Sequence, residues 1–269
     1  MIISKLMGGM GNQMFQYVMA KSLSRKYNVE FKLDRTYLDH VDWRNYDLDL
    51  FNFEVDFIGG GISAVPVQET TLLFDSSIYN IYDTLPKENN IYLVGYWQHR
   101  DYVYPIDSEI RKDFTLRNPI VDPKILDLLE DIKSSNSVML NVRRADFVDN
   151  AFHGTMDTNY YDKAERKIRD KVETPRFFIF SDDVEWCKYN LKIENSFFVD
   201  HSYKGDRFGA YLELMKTCKH FIIPNSSFGW WAAYLSDNPD KVVIAPERWF
   251  LDTNTKIDII NDKLGWIKL

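Results

Sequence analysis

The pattern of apolar residues constrains the fold of this chain more tightly than any single motif. Five short runs in the second half, residues 138–142, 176–180, 197–199, 221–223 and 242–245, are mostly apolar without alternation. A strand covered on one face alternates apolar and polar residues. A strand covered on both faces, as in a parallel sheet, does not. Between these runs lie helix-like segments at 160–172, 184–191, 208–218 and 228–235. Strand and helix in alternation predict an α/β fold with a parallel sheet.

The first half opens the same way. Residues 1–6 read as a strand, followed by Gly8, Gly9, Met10, Gly11, Asn12 and Gln13, then a helix. Met14, Phe15, Val18, Met19 and Leu23 form its apolar stripe, and Asn12 is the candidate cap. Residues 29–33 and 91–95 are further strands, and the stretch 59–90, with Gly59–Gly61, Pro66, Pro86, Asn89 and Asn90, reads as a loop. Residues 107–114 and a helix over 121–133 complete the half, the helix carrying Ile125, Leu128, Leu129 and Ile132 on one stripe. The short polar stretch 134–137 predicts a boundary between domains 1–134 and 135–269.

Bulk properties exclude several classes. A chain of 269 residues with 45% hydrophobic residues supports one large domain or two ordinary ones. Its net charge of −7 argues against a nucleic-acid binder, which needs a basic face. Cys187 and Cys218 predict two buried thiols in a reducing compartment. With no N-terminal charged-then-apolar signal and no apolar run near 18 residues, the expectation is a cytoplasmic protein with at most peripheral membrane contact.

Polar motifs follow three strands of the second half: Arg143-Arg144-Ala145-Asp146, Ser181-Asp182-Asp183 and Asn225-Ser226-Ser227. In a parallel sheet these strand ends open on one edge, where α/β folds bind ligands. Two guanidinium forks suit a diphosphate. Asn225-Ser226-Ser227 precedes a helix, whose N-terminus and serine hydroxyls suit a phosphate. A carboxylate of Asp182 or Asp183 suits guanine or ribose, and one of the two is expected to cap the next helix.

Other motifs compete. Gly9 and Gly11 match two of the three glycines of a dinucleotide fingerprint, with Asp34 near the ribose-acid position, but Met14 occupies the third. The alternative is a glycine turn that lets backbone approach a ligand, with Asn12 and Gln13 as polar contacts. Asp47-Leu48-Asp49 spells a DxD triplet, read here as a solvated or capped segment. Tyr96-Trp97-Gln98-His99 ends a strand with groups that could stack on and hydrogen-bond a sugar. These features keep open a nicotinamide-dependent oxidoreductase and a non-catalytic glycan-binding module.

Five segments, GGMGNQMFQYVMAKSL, GYWQ, VRRAD, FSDDVEW and LMKTCKHFIIPNSSFGWWAAYL, occur in order across nearly the whole chain. Through them the sequence resembles glycosyltransferase family 11, the α-1,2-fucosyltransferases. The resemblance implies a GT-B architecture of two facing Rossmann-like domains, the first on the acceptor side and the second binding the GDP-sugar. It implies inverting transfer of L-fucose from GDP-fucose to the 2-hydroxyl of a terminal galactoside, without metal or other cofactor. Expected partners are a GDP-sugar donor and a galactose-terminated glycan, with surface polysaccharide synthesis as the pathway. Where the family usually reads HxRRGDY, this chain has Asn141, Ala145 and Phe147.

The expected donor contacts are Gly9, Gly11, Asn12, Gln13, Asp182, Asp183, Asn225, Ser226 and Ser227. Arg143 and Arg144 are expected to answer the charge growing on the leaving GDP. Neighbours on a strand point oppositely, so one arginine faces the site, and Arg144 is preferred. Asp146 is the first candidate for general base, with a salt bridge to an arginine as its other reading. Asp149 and the Asn12–Gln13 turn are reserves.

Overall fold

The computed structural model describes residues 1–59, 61–69, 76–251 and 259–269. The described residues form two α/β units, one of Met1–Asn118 with Ile259 and the other of residues 119–251 and 260–269.

The sheet of the first unit contains β1 (Ile2–Lys5), β2 (Phe31–Asp34), β3 (Val65–Gln68) and β4 (Ile91–Val94), in the order β2-β1-β4-β3 and parallel throughout. Strand β3 was expected to be loop, because Pro66 removes a ladder donor. The strand order explains the exception: β3 is an edge strand, where proline is tolerated. Residues 60 and 70–75 of that expected loop lie outside the described residues.

Helix α1 (Met10–Tyr27) follows β1 and is buried along most of its length. Its burial includes polar side chains, each with a partner. Lys21 pairs with Asp113, and Tyr17 donates to the same carboxylate at 2.8 Å. Arg25 and Lys26 lie in the last turn, where positive charge complements the helix dipole.

The second unit contains β5 (Ser137–Val142), β6 (Arg176–Ser181), β7 (Ser196–Val199), β8 (His220–Ile222), β9 (Val243–Ala245) and β10 (Ile267–Lys268). Their order is β10-β9-β8-β5-β6-β7, all parallel. Counted within the unit, this is the doubly wound order 3-2-1-4-5-6 read from the other edge. The winding reverses between β5 and β8. Every residue of β5 is buried, which is why its sequence shows no alternation. Strand β10 is two residues long, too short to leave a periodic signal.

The polar stretch 134–137 is not the boundary. Helix α2 (Pro123–Ser134) packs on β5, so residues 119–134 belong to the second unit. Ser135 donates its hydroxyl to Asp131 O at 2.9 Å, which makes the stretch a capped turn into β5 rather than a linker.

Four more helices bear on the site: α3 (Thr158–Arg169), α4 (Val184–Asn190), α5 (Gly209–Thr217) and α6 (Ser227–Leu235). Tyr211 of α5 ties two strand ends together. Its buried hydroxyl donates to Val199 O at 2.7 Å and accepts from Ser181 N at 3.1 Å. Without that hydroxyl, a buried donor and a buried acceptor lose their partner. Tyr211→Phe should therefore cost about 1–3 kcal/mol in urea unfolding. An unchanged midpoint would show that the strand ends need no such tie.

Candidate active site

The register of β5 on β6 builds the centre of the site. Asn141 lies opposite Phe180, and Val142 opposite Ser181. One and two steps further along the same register, Arg143 meets Asp182 and Arg144 meets Asp183. The side chains follow: Arg143 Nη1 lies 2.7 Å from Asp182 Oδ2, and Arg144 Nε lies 3.1 Å from Asp183 Oδ2. The Arg144 backbone N–H donates to Asp182 Oδ1 at 2.9 Å. Asp183 Oδ1 accepts from Trp186 N at 3.1 Å and so caps α4, as expected of one of the pair.

Asp182 and Asp183 hold the two arginines through these contacts, although Asp182 Oδ2, in ion-pair range of Arg143, has no well-aligned hydrogen bond among the described residues. The arginines differ in what they leave over. Arg143 is taken up by two carboxylates, Asp182 and Asp146, and lies over Phe147. Arg144 is held by its Nε and rests on the Trp186 ring at 4.1 Å. Its Nη1 and Nη2 have no protein partner among the described residues. Arg144 thus presents a fixed, half-buried fork.

Strand β8 supplies the other wall. Helix α6 starts just beyond it, with Ser226 at the cap position. The Ser226 side chain makes no capping bond, so its hydroxyl is not consumed by the helix. The first turn of any helix leaves backbone N–H groups without intrahelical acceptors. Asn225 is 2% exposed, and its Nδ2 donates to His153 O at 2.9 Å and Trp249 O at 3.2 Å, which pins the loops around the site. Its buried Oδ1 has no hydrogen-bond partner among the described residues.

Gly229, in the first turn of α6, sets how near the helix comes to β5. A Cβ there would stand 2.8 Å from Asn141 Oδ1. Asn141 is itself buried, and its Nδ2 donates to Phe180 O at 3.1 Å. The residue at 141 is therefore a spacer beneath the helix N-terminus.

The loop after β5 carries Asp146, whose carboxylate accepts from Arg143. Asp149 is exposed with a left-handed φ of 59°. His153 stacks on Phe147, with centroids 4.4 Å apart and planes 8° apart. Burial holds the His153 imidazole below its usual pKa. Asp146 opposes that shift and Arg143 adds to it. Trp186, His153 and Gly229 were not singled out from sequence as site residues. Trp186 sits in a quoted segment, but its stacking on Arg144 depends on the β5–β6 register.

The glycine turn belongs to the first unit. Gly9, not Asn12, is the cap of α1, and Asn12 and Gly11 lie in the first turn. Gln13 is fully buried. Its Nε2 donates to Gly8 O at 3.0 Å and Asn45 O at 2.7 Å, and its Oε1 accepts from Asp47 N at 2.9 Å. It is a staple for the 45–47 loop, which corrects its reading as a ligand contact. Asp34 is likewise occupied. It accepts from Thr36 N at 2.9 Å and from the Tyr92 hydroxyl at 2.5 Å. Burial raises its pKa, but these bonds and the Lys5 charge outweigh that and hold the carboxyl below its usual range. An aspartate so engaged is a poor ribose ligand, which removes the main support for a nicotinamide site.

Two Rossmann-like units, with paired arginines and a helix N-terminus at the switch point of the second, define a GT-B glycosyltransferase. The family model for glycosyl transferase family 11 matches residues 75–269. An alpha-1,2-colitosyltransferase of Escherichia coli is 31% identical, over 93% of this chain and 92% of its own. The O-antigen biosynthesis glycosyltransferase WbnK of Escherichia coli is 28% identical, over 99% of both chains. Among solved structures, the fucosyltransferase NodZ from Bradyrhizobium superposes with a TM-score of 0.54 at 14% identity, covering 86% of this chain and 92% of its own. A NodZ alpha-1,6-fucosyltransferase soaked with GDP-fucose gives 0.55 at 17% identity, covering 87% of this chain and 91% of its own. The chain belongs to glycosyl transferase family 11.

The contact between Gly229 and Asn141 gives a test of this arrangement. Gly229→Ala should destabilise the protein by about 1–3 kcal/mol through overpacking, against the usual gain of alanine in a helix. Asn141→Ala should relieve the clash, so the double variant is more stable than the sum of the two single effects predicts. Additive effects in thermal unfolding would show that the two residues do not meet.

Proposed function

We propose that this protein transfers L-fucose from GDP-fucose to the 2-hydroxyl of a terminal galactoside, with inversion and without a metal. The observation that carries the reading is the Arg144 fork, held by Asp183 and Trp186 with both terminal nitrogens open, in the same sheet edge as the start of α6. Such donors suit a diphosphate. The names of the relatives support the α-1,2 linkage and a role in surface polysaccharide synthesis. We place the protein in the cytoplasm on its sequence features. Among the described residues no helix is long and apolar enough to cross a membrane.

The acceptor oxygen attacks C1 of the donor sugar as the bond from C1 to the β-phosphate oxygen breaks. The bonding pair leaves with GDP, and the hydroxyl proton goes to a base. Arg144, the Ser226 and Ser227 hydroxyls and the α6 N-terminus take up the negative charge that grows on GDP. Donors fixed in advance where charge develops are worth on the order of 10²–10³ in rate each. Asp146 braces Arg143 through its ion pair, and this role competes with that of a general base for the acceptor hydroxyl.

Binding, turnover and two variants test the proposal. Calorimetry should show GDP binding, and turnover should follow when GDP-fucose and a galactoside are supplied. GDP-colitose offered in parallel tests the donor sugar, since one relative is named for colitose. Arg144→Ala should lose on the order of 10²–10³ in turnover, and wild-type turnover would remove Arg144 from the chemistry. The pH–rate profile of Asp146→Asn should keep its acidic limb at reduced rate. Loss of that limb would make Asp146 the base.

A further inference from the structure

The first unit holds a second polar constellation that the chemistry above does not use. Gln98, just past β4, is 8% exposed, and its Nε2 donates to Asn12 Oδ1 at 2.7 Å. Its Oε1 is buried and has no hydrogen-bond partner. An orphaned amide oxygen in such a place is destabilising unless something donates to it. The surrounding backbone is arranged to keep it there. Glu69 accepts from Tyr96 N at 2.6 Å and Trp97 N at 2.8 Å, and Trp97 takes a left-handed φ of 57°.

The turn at the start of α1 is shaped to match. Gly8 has a φ of 77°, and a Cβ on it would stand 2.5 Å from Asn12 Nδ2. The Asn12 side chain folds over Gly8 because no side chain is there, and from that position its oxygen meets Gln98. Above Gly9, by contrast, a Cβ would meet nothing within 4 Å. The result is an open space beside Gly9 at the start of an 18-residue helix, with Gln98 bonded to the first turn through its Nε2 while its buried Oε1 has no partner among the described residues.

The chemistry of that atom selects its ligand. A carbonyl oxygen accepts and does not donate, so it repels a phosphate, which at neutral pH offers acceptors. Gly8, Gly9, Asn12 and Gln98 carry no charge. A neutral hydroxyl, which donates to Gln98 and accepts from the turn, satisfies the set. We propose that Gln98, held by Asn12 over the Gly8–Gly9 turn, binds a hydroxyl of the acceptor sugar and so helps select the acceptor. This inference rests on the galactosyl-acceptor reading above.

The test is the enzyme's response to single missing hydroxyls. Kinetics with GDP-fucose and a panel of monodeoxy methyl galactosides would be measured for wild type, Gln98→Leu, Gln98→Glu and Gly9→Ser, with GDP affinity measured by calorimetry. One deoxy sugar should cost wild type at least tenfold in kcat/KM and cost Gln98→Leu nothing further. Gln98→Leu should raise the acceptor KM at least tenfold and retain GDP affinity. Gln98→Glu keeps an acceptor oxygen and should restore sensitivity to that hydroxyl. Gly9→Ser, which fills the open space, should raise the acceptor KM. If wild type and Gln98→Leu respond to the panel alike, Gln98 contacts no acceptor hydroxyl and the inference falls, while the fucosyl-transfer reading stands. If wild type uses no galactoside at all, that reading falls and takes the ligand of this cradle with it.

Discussion

The parallel register between β5 and β6 is the constraint on which the candidate site depends. It brings two arginines opposite two aspartates, one and two residues beyond the last rung of the ladder. Each contact of the cluster is a consequence of that offset. A shift of one residue would pair Arg143 with Asp183, leave Asp182 opposite a buried strand residue, and turn each side chain to the other face. Ladder and ion pairs therefore reinforce one another: the fully buried β5 fixes the register, and the register places the charges.

These charges sit at the rim of the sheet, where a guanidinium can be held rigid and still meet solvent. Arg144 has 17% of its side chain exposed, against 30% for Arg143. Full burial would impose a desolvation cost that ion pairing repays only with good geometry. Full exposure would leave a mobile side chain and a weak ion pair. Trp186 solves part of the problem by covering one face of the guanidinium without taking any of its donors. The planar fork is what makes that possible, and a lysine at 144 could neither stack nor be held by one edge while offering another.

Much of the fold was legible because buried parallel strands have a plain signature. Ser137–Val142, Arg176–Ser181 and Val243–Ala245 stand within a residue or so of their expected limits. Strand β3 was not legible, because Pro66 reads as a breaker and its edge position is a property of the assembled sheet. The domain boundary was misplaced for a related reason: a polar turn inside a unit and a linker between units have the same composition. At the site, the strand-end motifs were legible but their division of labour was not. Asp182 and Asp183 hold arginines, Asn225 pins loops and Gln13 staples a turn, although each has the residue type of a ligand contact. Amides and carboxylates serve backbone N–H groups as well as they serve ligands. Only the tally of donors and acceptors in three dimensions separates the two uses.

That tally also changes the meaning of Asn141. From sequence, an asparagine where the family usually has histidine suggests a group removed from the nucleotide. In the fold, residue 141 is buried between the Phe180 carbonyl and Gly229, below the start of α6. Its size and hydrogen bonding set how closely the helix N-terminus approaches the strand end that carries Arg143 and Arg144. The dipole acts over little more than one turn, so a displacement of the helix by a fraction of a turn alters what its N–H groups can reach. The departure at 141 and the glycine at 229 are best understood as one packing unit. Substitution at either position changes how the start of α6 sits against the strand end that carries Arg143 and Arg144.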